Sequence, residues 1–318
     1  MDIRQACDKL EQLKEEIHKE FIGKDEVLDN LLVCLLAGGH VLLEDVPGIG
    51  KTTLAKVLAK SAGLSLGRIQ FTPDTLPGDI TGISVYDMQS GEFRWKQGPV
   101  MNQILLADEI NRTSPKTQAG LLEVMAEGQV TVDGKSFALP EPFMVISTQN
   151  PVEFAGTYPL PEAQMDRFMM KLSMGYPEKE QEFKIAKALL AKNAEEAEEQ
   201  QTSEGVLNAA DILEIRKLTG EVRVSDAVIN YIESIIAETR KEERFRLGGS
   251  TRALLALLQA SQGKALLDGR DFVKPDDVKA LVTPVLAHRM VLSTEARRQK
   301  VSVERILTEI LTHVRIPA

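Results

Sequence analysis

Between His40 and Leu54 an apolar run leads into two glycines, a lysine and two hydroxyl residues, an order that suits the cradling of phosphate. Gly48 and Gly50 let the backbone approach an anion with its N–H groups turned inward, where a Cβ would block the approach or force strain at positive φ. Lys51 offers a point charge for β- and γ-phosphates and Thr52 a hydroxyl suited to Mg2+, while Pro47, Ile49 and Thr53 complete the loop. The strict pattern for such a loop opens with glycine, and here that position is Asp45. Further on, Asp108 and Glu109 close a second apolar run. Asp108 is suited to hold Mg2+ through water, and Glu109 to polarise an attacking water. Asn150 ends another apolar run before Pro151, where its amide either orients that water or makes a simple turn. Arg252 follows Gly248-Gly249-Ser250-Thr251 at a helix start, from which it can reach an anion in a neighbouring domain.

These groups need a sheet to present them. Val41 to Leu43 have no polar break, as expected of a parallel strand covered on both faces, and a helix from Lys51 to about Ala62 follows the loop. Arg68 to Phe71, Gln103 to Ala107, Phe143 to Thr148 and an apolar run to about Ser173 supply four more strands. Open α/β sheets bind ligands at the carboxyl ends of their strands, so the acids are expected where the phosphate loop opens. Two amphipathic helices, Asp2 to Glu20 and Lys24 to Gly38, precede the sheet, with Phe21-Ile22-Gly23 between them. Thr72 to Gly82 is dense in turn formers. Ile83 to Val85 with Glu92 to Lys96, and Val130 to Val132 with Ser136 to Leu139, read as β-hairpins, the second around Asp133-Gly134. In the first, Phe93 and Trp95 make one face aromatic, either as the hairpin's own core or as a contact surface. Gly175-Tyr176-Pro177 breaks the chain and divides it into an α/β unit, 1–175, and an all-helical unit, 176–318. The helices expected in the second unit span Glu178 to Ala191, Ala209 to Leu218, Ser225 to Lys241, Ser250 to Asp268, Lys274 to Val285 and Val303 to Val314. The acidic stretch from Lys192 to Gly205 reads as a solvated linker.

Composition narrows the function classes. With 318 residues, 43% hydrophobic and 27% charged, the chain is an ordinary globular protein of about two domains. A net charge of -9 argues against a general electrostatic footprint for nucleic acid. Cys7 and Cys34 form neither a disulfide framework nor a zinc pattern, and the four histidines lack metal-site spacing. Met1 to Glu20 is too charged for a signal peptide, and no apolar run approaches the ~20 residues needed to span a bilayer, so a cytoplasmic location is expected.

Taken together, these motifs resemble an AAA+ ATPase, and more narrowly the MoxR family within the helix-2-insert clade. The resemblance covers nearly the whole chain and is most specific at Leu42 to Thr52, Leu106 to Arg112, Gln118 to Glu127, Ser147 to Pro151, Leu160 to Phe168 and Gly248 to Arg252. The family commonly writes its loop with Glu-Asp-Val-Pro-Gly, in line with Asp45. By this resemblance Lys51 and Thr52 match the Walker A lysine and threonine, and Asp108 and Glu109 the Walker B pair. Asn150 matches the sensor-1 asparagine, Arg252 the sensor-2 arginine and Arg167 the arginine finger of an Asp-Arg-Phe motif. Ile22 and Gly23 sit where the family contacts adenine. Arg167 is expected to face outward, toward a neighbour's γ-phosphate, or else to pair with Asp166; Arg112 is a second candidate for the same role. The two hairpins match the clade's helix-2 and pre-sensor-1 inserts. The fold implied is an αβα core with a five-stranded parallel sheet and a helical lid, assembled as a ring that is usually hexameric. The activity implied is Mg2+-dependent ATP hydrolysis driving chaperone-like remodelling of partner proteins, often ones carrying von Willebrand factor A domains. No added substrate-binding domain is expected.

Two other readings compete. A DNA-acting motor could use Arg94, Lys96 and Lys135 to line a pore, but the acidic net charge and the lack of a fused DNA-binding module count against it. A nucleotide-binding scaffold without hydrolysis would not need Lys51, Asp108 and Glu109 together.

Overall fold

The computed structural model describes residues 1–151, 157–195 and 205–317. Helix α1 (Ile3–Glu20) starts at a capping box of Asp2 and Gln5 and buries Ala6, Leu10, Leu13 and Ile17 along one face. After Phe21–Gly23 comes α2 (Asp25–Leu36), which is buried almost all round. The chain continues as β1 (Val41–Glu44), α3 (Lys51–Ser61), β2 (Leu66–Gln70), the short α4 (Pro77–Thr81), and the hairpin β3 (Gly82–Asp87) with β4 (Glu92–Gln97). Then follow β5 (Ile104–Asp108), α5 (Pro115–Glu127), the hairpin β6 (Gln129–Val132) with β7 (Lys135–Ala138), β8 (Met144–Gln149), α6 (Glu162–Met165) and β9 (Met170–Leu172).

The sheet runs β2-β5-β8-β1-β9, all parallel. Its register sets Glu44 beside Gln149 and Gln70 beside Asp108, so the carboxyl ends of β1, β8 and β5 lie next to one another. Successive side chains point to opposite faces: Leu43, Leu106 and Ile146 join the apolar cluster under α1, α2 and α3, whereas Leu42, Leu105 and Val145 join the one under α5. Both faces are covered, which is why these strands read as unbroken apolar runs.

The C-terminal half comprises α7 (Lys179–Glu195), α8 (Ala209–Glu221), α9 (Asp226–Lys241), β10 (Phe245–Leu247), α10 (Thr251–Leu267), α11 (Pro275–Leu286), β11 (Val291–Leu292), α12 (Thr294–Arg298) and α13 (Val303–His313). The expected all-helical unit therefore also carries a two-stranded pair, β10 with β11. Strands of two and three residues leave too little alternation to detect in a sequence. Likewise α4 and α12, five residues each, are shorter than the periodic window that announces a helix. The division at residue 175 is not a gap in packing: one apolar cluster contains Leu31 and Val33 of α2 with Ile212 of α8 and Leu257 of α10. Of the acidic linker, residues 196–204 lie outside the described residues.

Candidate active site

The phosphate loop bridges β1 and α3. Gly50 caps α3 at φ 92°, and Gly48 sits at φ 85° with open space where a Cβ would project. Both conformations favour glycine, and the open space over Gly48 is where an anion would have to approach the N–H groups. Lys51 Nζ donates to the Asp45 carbonyl at 2.6 Å. Partial burial lowers the Lys51 pKa from its ordinary value, opposed by the charges of Asp45, Asp108 and Glu109. The sheet register places both acids at the same end of the sheet as this loop, across β8 from it. Thr52 and Thr53 lie in the first turn of α3, where backbone N–H groups and the helix dipole favour an anion. The α1–α2 turn lies against this loop: the Phe21 ring approaches Gly50 and occupies the space that a Cβ on Gly23 would need. Ile22 and Gly23 are thereby brought to the loop's flank.

Asp45, the departure from the strict loop pattern, has a structural reason. Its buried carboxylate accepts from Ser173 Oγ at 2.8 Å, from the Met174 N–H at 2.6 Å and from the Gly175 N–H at 3.2 Å. Glycine could not make this staple between the loop and the chain leaving β9. Beside it, Glu44 pairs with Lys171 at 2.7 Å.

Asp108 and Glu109 are held from β2 and β8, the strands on either side of β5. Asp108 is buried, accepting from Arg68 Nε at 2.9 Å and from Thr148 Oγ1 at 3.3 Å. Glu109 adopts the left-handed conformation at φ 59° and ψ 49°, uncommon for a non-glycine residue, and its N–H donates to Thr148 Oγ1 at 2.9 Å. Its carboxylate accepts from Gln70 Nε2 at 2.8 Å and pairs with Arg112 at 3.1 Å. Arg112 is thus placed beside the acid of its own chain. Asn150 is buried just past β8, between the ends of β5 and β1, and its carbonyl accepts from Asn111 Nδ2 at 3.3 Å.

The remaining arginines gather elsewhere. Arg167 is exposed and donates to the Leu122 carbonyl at 2.9 Å. The alternative pairing with Asp166 is not formed, because Asp166 is taken by Arg289 at 2.7 Å and by Arg252 at 3.3 Å. Arg252 correspondingly does reach an anion of the other unit, but that anion is Asp166 rather than anything at its own phosphate loop. The reason is the placement of α10, whose N-terminus opens with α6 onto a cleft of about 940 Å3 lined by Glu162, Asp166, Arg246 and Gly249.

Sequence reasoning missed Thr148, Arg68, Gln70, Arg289 and Gln118. Arg68 and Gln70 alternate on β2, and only the sheet order, β2 beside β5, shows that they reach the acids. Gln118 is fully buried and donates to the carbonyls of Ile110 and Tyr158 at 3.1 and 2.9 Å, tying down the segment after Glu109. Its only signal was an amide on an otherwise apolar helix face.

Mg2+ is usually held by one or two carboxylates plus substrate phosphate oxygens rather than by a protein cage. Among the described residues no cluster of three or more acidic, His or Cys side chains forms such a cage, and one carboxylate, Asp108, with one hydroxyl, Thr52, fits the former arrangement.

Comparison with known proteins agrees with this arrangement. The ATPase family associated with various cellular activities (AAA) matches residues 40–170, and the AAA lid domain matches residues 237–310. The uncharacterized protein YeaC of Bacillus subtilis is 47% identical over 95% of this chain and 93% of its own length. The chaperone MoxR1 of Mycobacterium tuberculosis is 39% identical over 97% of this chain and 82% of its own. A crystal structure of a candidate ATPase from Cytophaga hutchinsonii superposes with a TM-score of 0.91 at 36% identity, covering 99% of this chain and 97% of that one.

Proposed function

The chain belongs to the MoxR-type AAA+ ATPases, and from that premise we propose that it hydrolyses ATP with Mg2+ in an oligomeric, hexameric ring, driving chaperone-like remodelling of partner proteins in the cytoplasm. The observation that carries the reading is the placement of the Lys51 loop, Asp108 and Glu109 at the carboxyl ends of β1 and β5, on either side of β8. The loop from Pro47 to Thr53 takes the phosphates on its N–H groups, Lys51 neutralises the β- and γ-oxygens, and Ile22 and Gly23 flank the base. Thr52 and Asp108 hold Mg2+, which when bound neutralises phosphate charge. Glu109 accepts the proton of the attacking water, and the strained backbone supported by Thr148 fixes its direction. Asn150 orients the same water. Arg112, paired with Glu109, is assigned to that acid and not to a neighbour's site. Arg167, and with it Arg252, which pairs with Asp166 just before Arg167, serves the ATP of the adjoining protomer. The client is a protein, with von Willebrand factor A domains the first class to screen; the name of the Mycobacterium tuberculosis relative supports a chaperone role.

Phosphate release from Mg-ATP tests the assignment. Glu109→Gln keeps shape but cannot accept a proton, so turnover should fall by about 10²–10⁴-fold while ATP affinity stays within a few-fold. Wild-type turnover in that variant would require another base. Lys51→Ala should instead weaken ATP binding by about 10–100-fold, given about 1.5–3 kcal/mol for a hydrogen bond to a charged group.

A further inference from the structure

Arg289 lies in the helical unit, in the turn after α11, and its side chain is only 3% exposed. A guanidinium carries five N–H donors in a fixed plane, and here each has an acceptor. Nε meets Asp166 Oδ1 at 2.7 Å, Nη2 meets the carbonyls of Asp166 and Phe168 at 3.3 and 2.7 Å, and Nη1 meets the Met169 carbonyl at 3.0 Å and that of Val285. Four of the five bonds therefore grip residues 166–169, on both sides of Arg167. The preceding residue, His288, adds Nε2 to the Phe168 carbonyl at 3.0 Å. Phe168 is itself fully buried, so the residues flanking Arg167 are anchored, while Arg167 itself is exposed with one guanidinium nitrogen on the Leu122 carbonyl.

Burying a guanidinium is costly unless all its donors are met, and simple docking of the lid would be served as well by apolar packing. What this arrangement adds is direction: it fixes the backbone that aims Arg167, and it does so from the lid. We propose that Arg289 is the positioning residue for Arg167, so that the lid of one protomer sets where its arginine meets the next protomer's ATP; this rests on the reading that Arg167 acts in trans. Asp166 is the hub, shared with Arg252. A misplacement of about 1 Å in such a group costs on the order of 10²-fold in rate.

The test is Arg289→Lys, which keeps the charge but cannot span these acceptors, with Asp166→Asn as a second variant that leaves the carbonyl bonds in place. Both should bind ATP with affinity within about threefold of wild type, because their own phosphate loops are intact, while kcat falls by about 10–100-fold with little change in KM. Mixing either variant with Lys51→Ala should restore phosphate release above that of the two separately, since an intact pocket then meets an intact arginine. If Arg289→Lys does not fold, Asp166→Asn decides. Wild-type kcat in the deciding variant, loss of ATP affinity in parallel with kcat, or no recovery on mixing would overturn the proposal. An Arg167→Ala control separates the causes. If Arg167→Ala loses turnover but the deciding variant keeps it, only the role of Arg289 fails; if Arg167→Ala keeps turnover, the trans reading fails and this proposal with it.

Discussion

Asp45 shows how a single residue can depart from a pattern and still serve it. Its backbone carbonyl takes Lys51, leaving its carboxylate free for Ser173, Met174 and Gly175. The phosphate loop is thereby tied to the chain that leaves β9 toward the lid. Asp45→Gly would restore the strict loop pattern while stranding the buried Met174 N–H, at about 1–3 kcal/mol, and the half-buried Gly175 N–H, at less. The variant should therefore retain ATP binding but lose about 2–4 kcal/mol of stability in urea unfolding; unchanged stability would mean that the staple is incidental. In the sequence Asp45 was visible as an exception, yet its partners, well over a hundred residues away, were not. Arg289 was wholly hidden, because an arginine near a helix end ordinarily reads as a solvated charge. Lys51, Asp108 and Glu109 were legible because their chemistry is local to a strand end and the loop that follows.

Among elements, the order β2-β5-β8-β1-β9 does the assembling, and a histidine helps to hold it. His40, which sequence spacing gave no catalytic part, is half-buried at the foot of β1. Its Nδ1 accepts from the Val145 N–H at 3.0 Å, and its Nε2 meets the Met125 carbonyl at 3.3 Å. This joins β1, β8 and the end of α5 through a neutral ring, since Nδ1 cannot accept once protonated. Burial lowers the His40 pKa from 6.5 to about 4, and that of His288 likewise falls. Between these values the unfolded chain binds more protons than the folded one. The stabilisation is therefore fully present above pH 6.5 and is lost as the pH falls toward 4, on the order of 3 kcal/mol for His40. Urea unfolding between pH 7.5 and 4.5 should show this slope, and His40→Gln should flatten it; an unaltered slope would assign it to other groups. Strand and long-helix identities were readable because apolar runs and periodicity are local. The aromatic face of the first hairpin was not, since its fate depends on a second hairpin: Trp95 stacks on Phe137 at 4.2 Å, whereas Phe93 stays exposed against Tyr86.

At the scale of the whole molecule, the site's parts lie in two places. The phosphate loop, the acids and Asn150 occupy the strand ends, while Arg167, Asp166 and Arg252 form a group of their own where the lid meets α6. Under the proposed reading, a catalytic set divided in this way is completed by a second copy, with Arg167 of one protomer serving the phosphate loop of the next. An arginine supplied in trans contributes about 10³–10⁵-fold to hydrolysis of this kind. Arg167→Ala alone should thus bind ATP and be nearly inactive, and Lys51→Ala alone should be nearly inactive at ATP concentrations that its weakened pocket does not fill. The deciding measurement is phosphate release from the two inactive variants mixed, with mixed rings verified by mass spectrometry. Activity rising above that of either variant, greatest near equal proportions, is the predicted result. Mixed rings that stay inactive at every ratio would contradict a site shared between protomers.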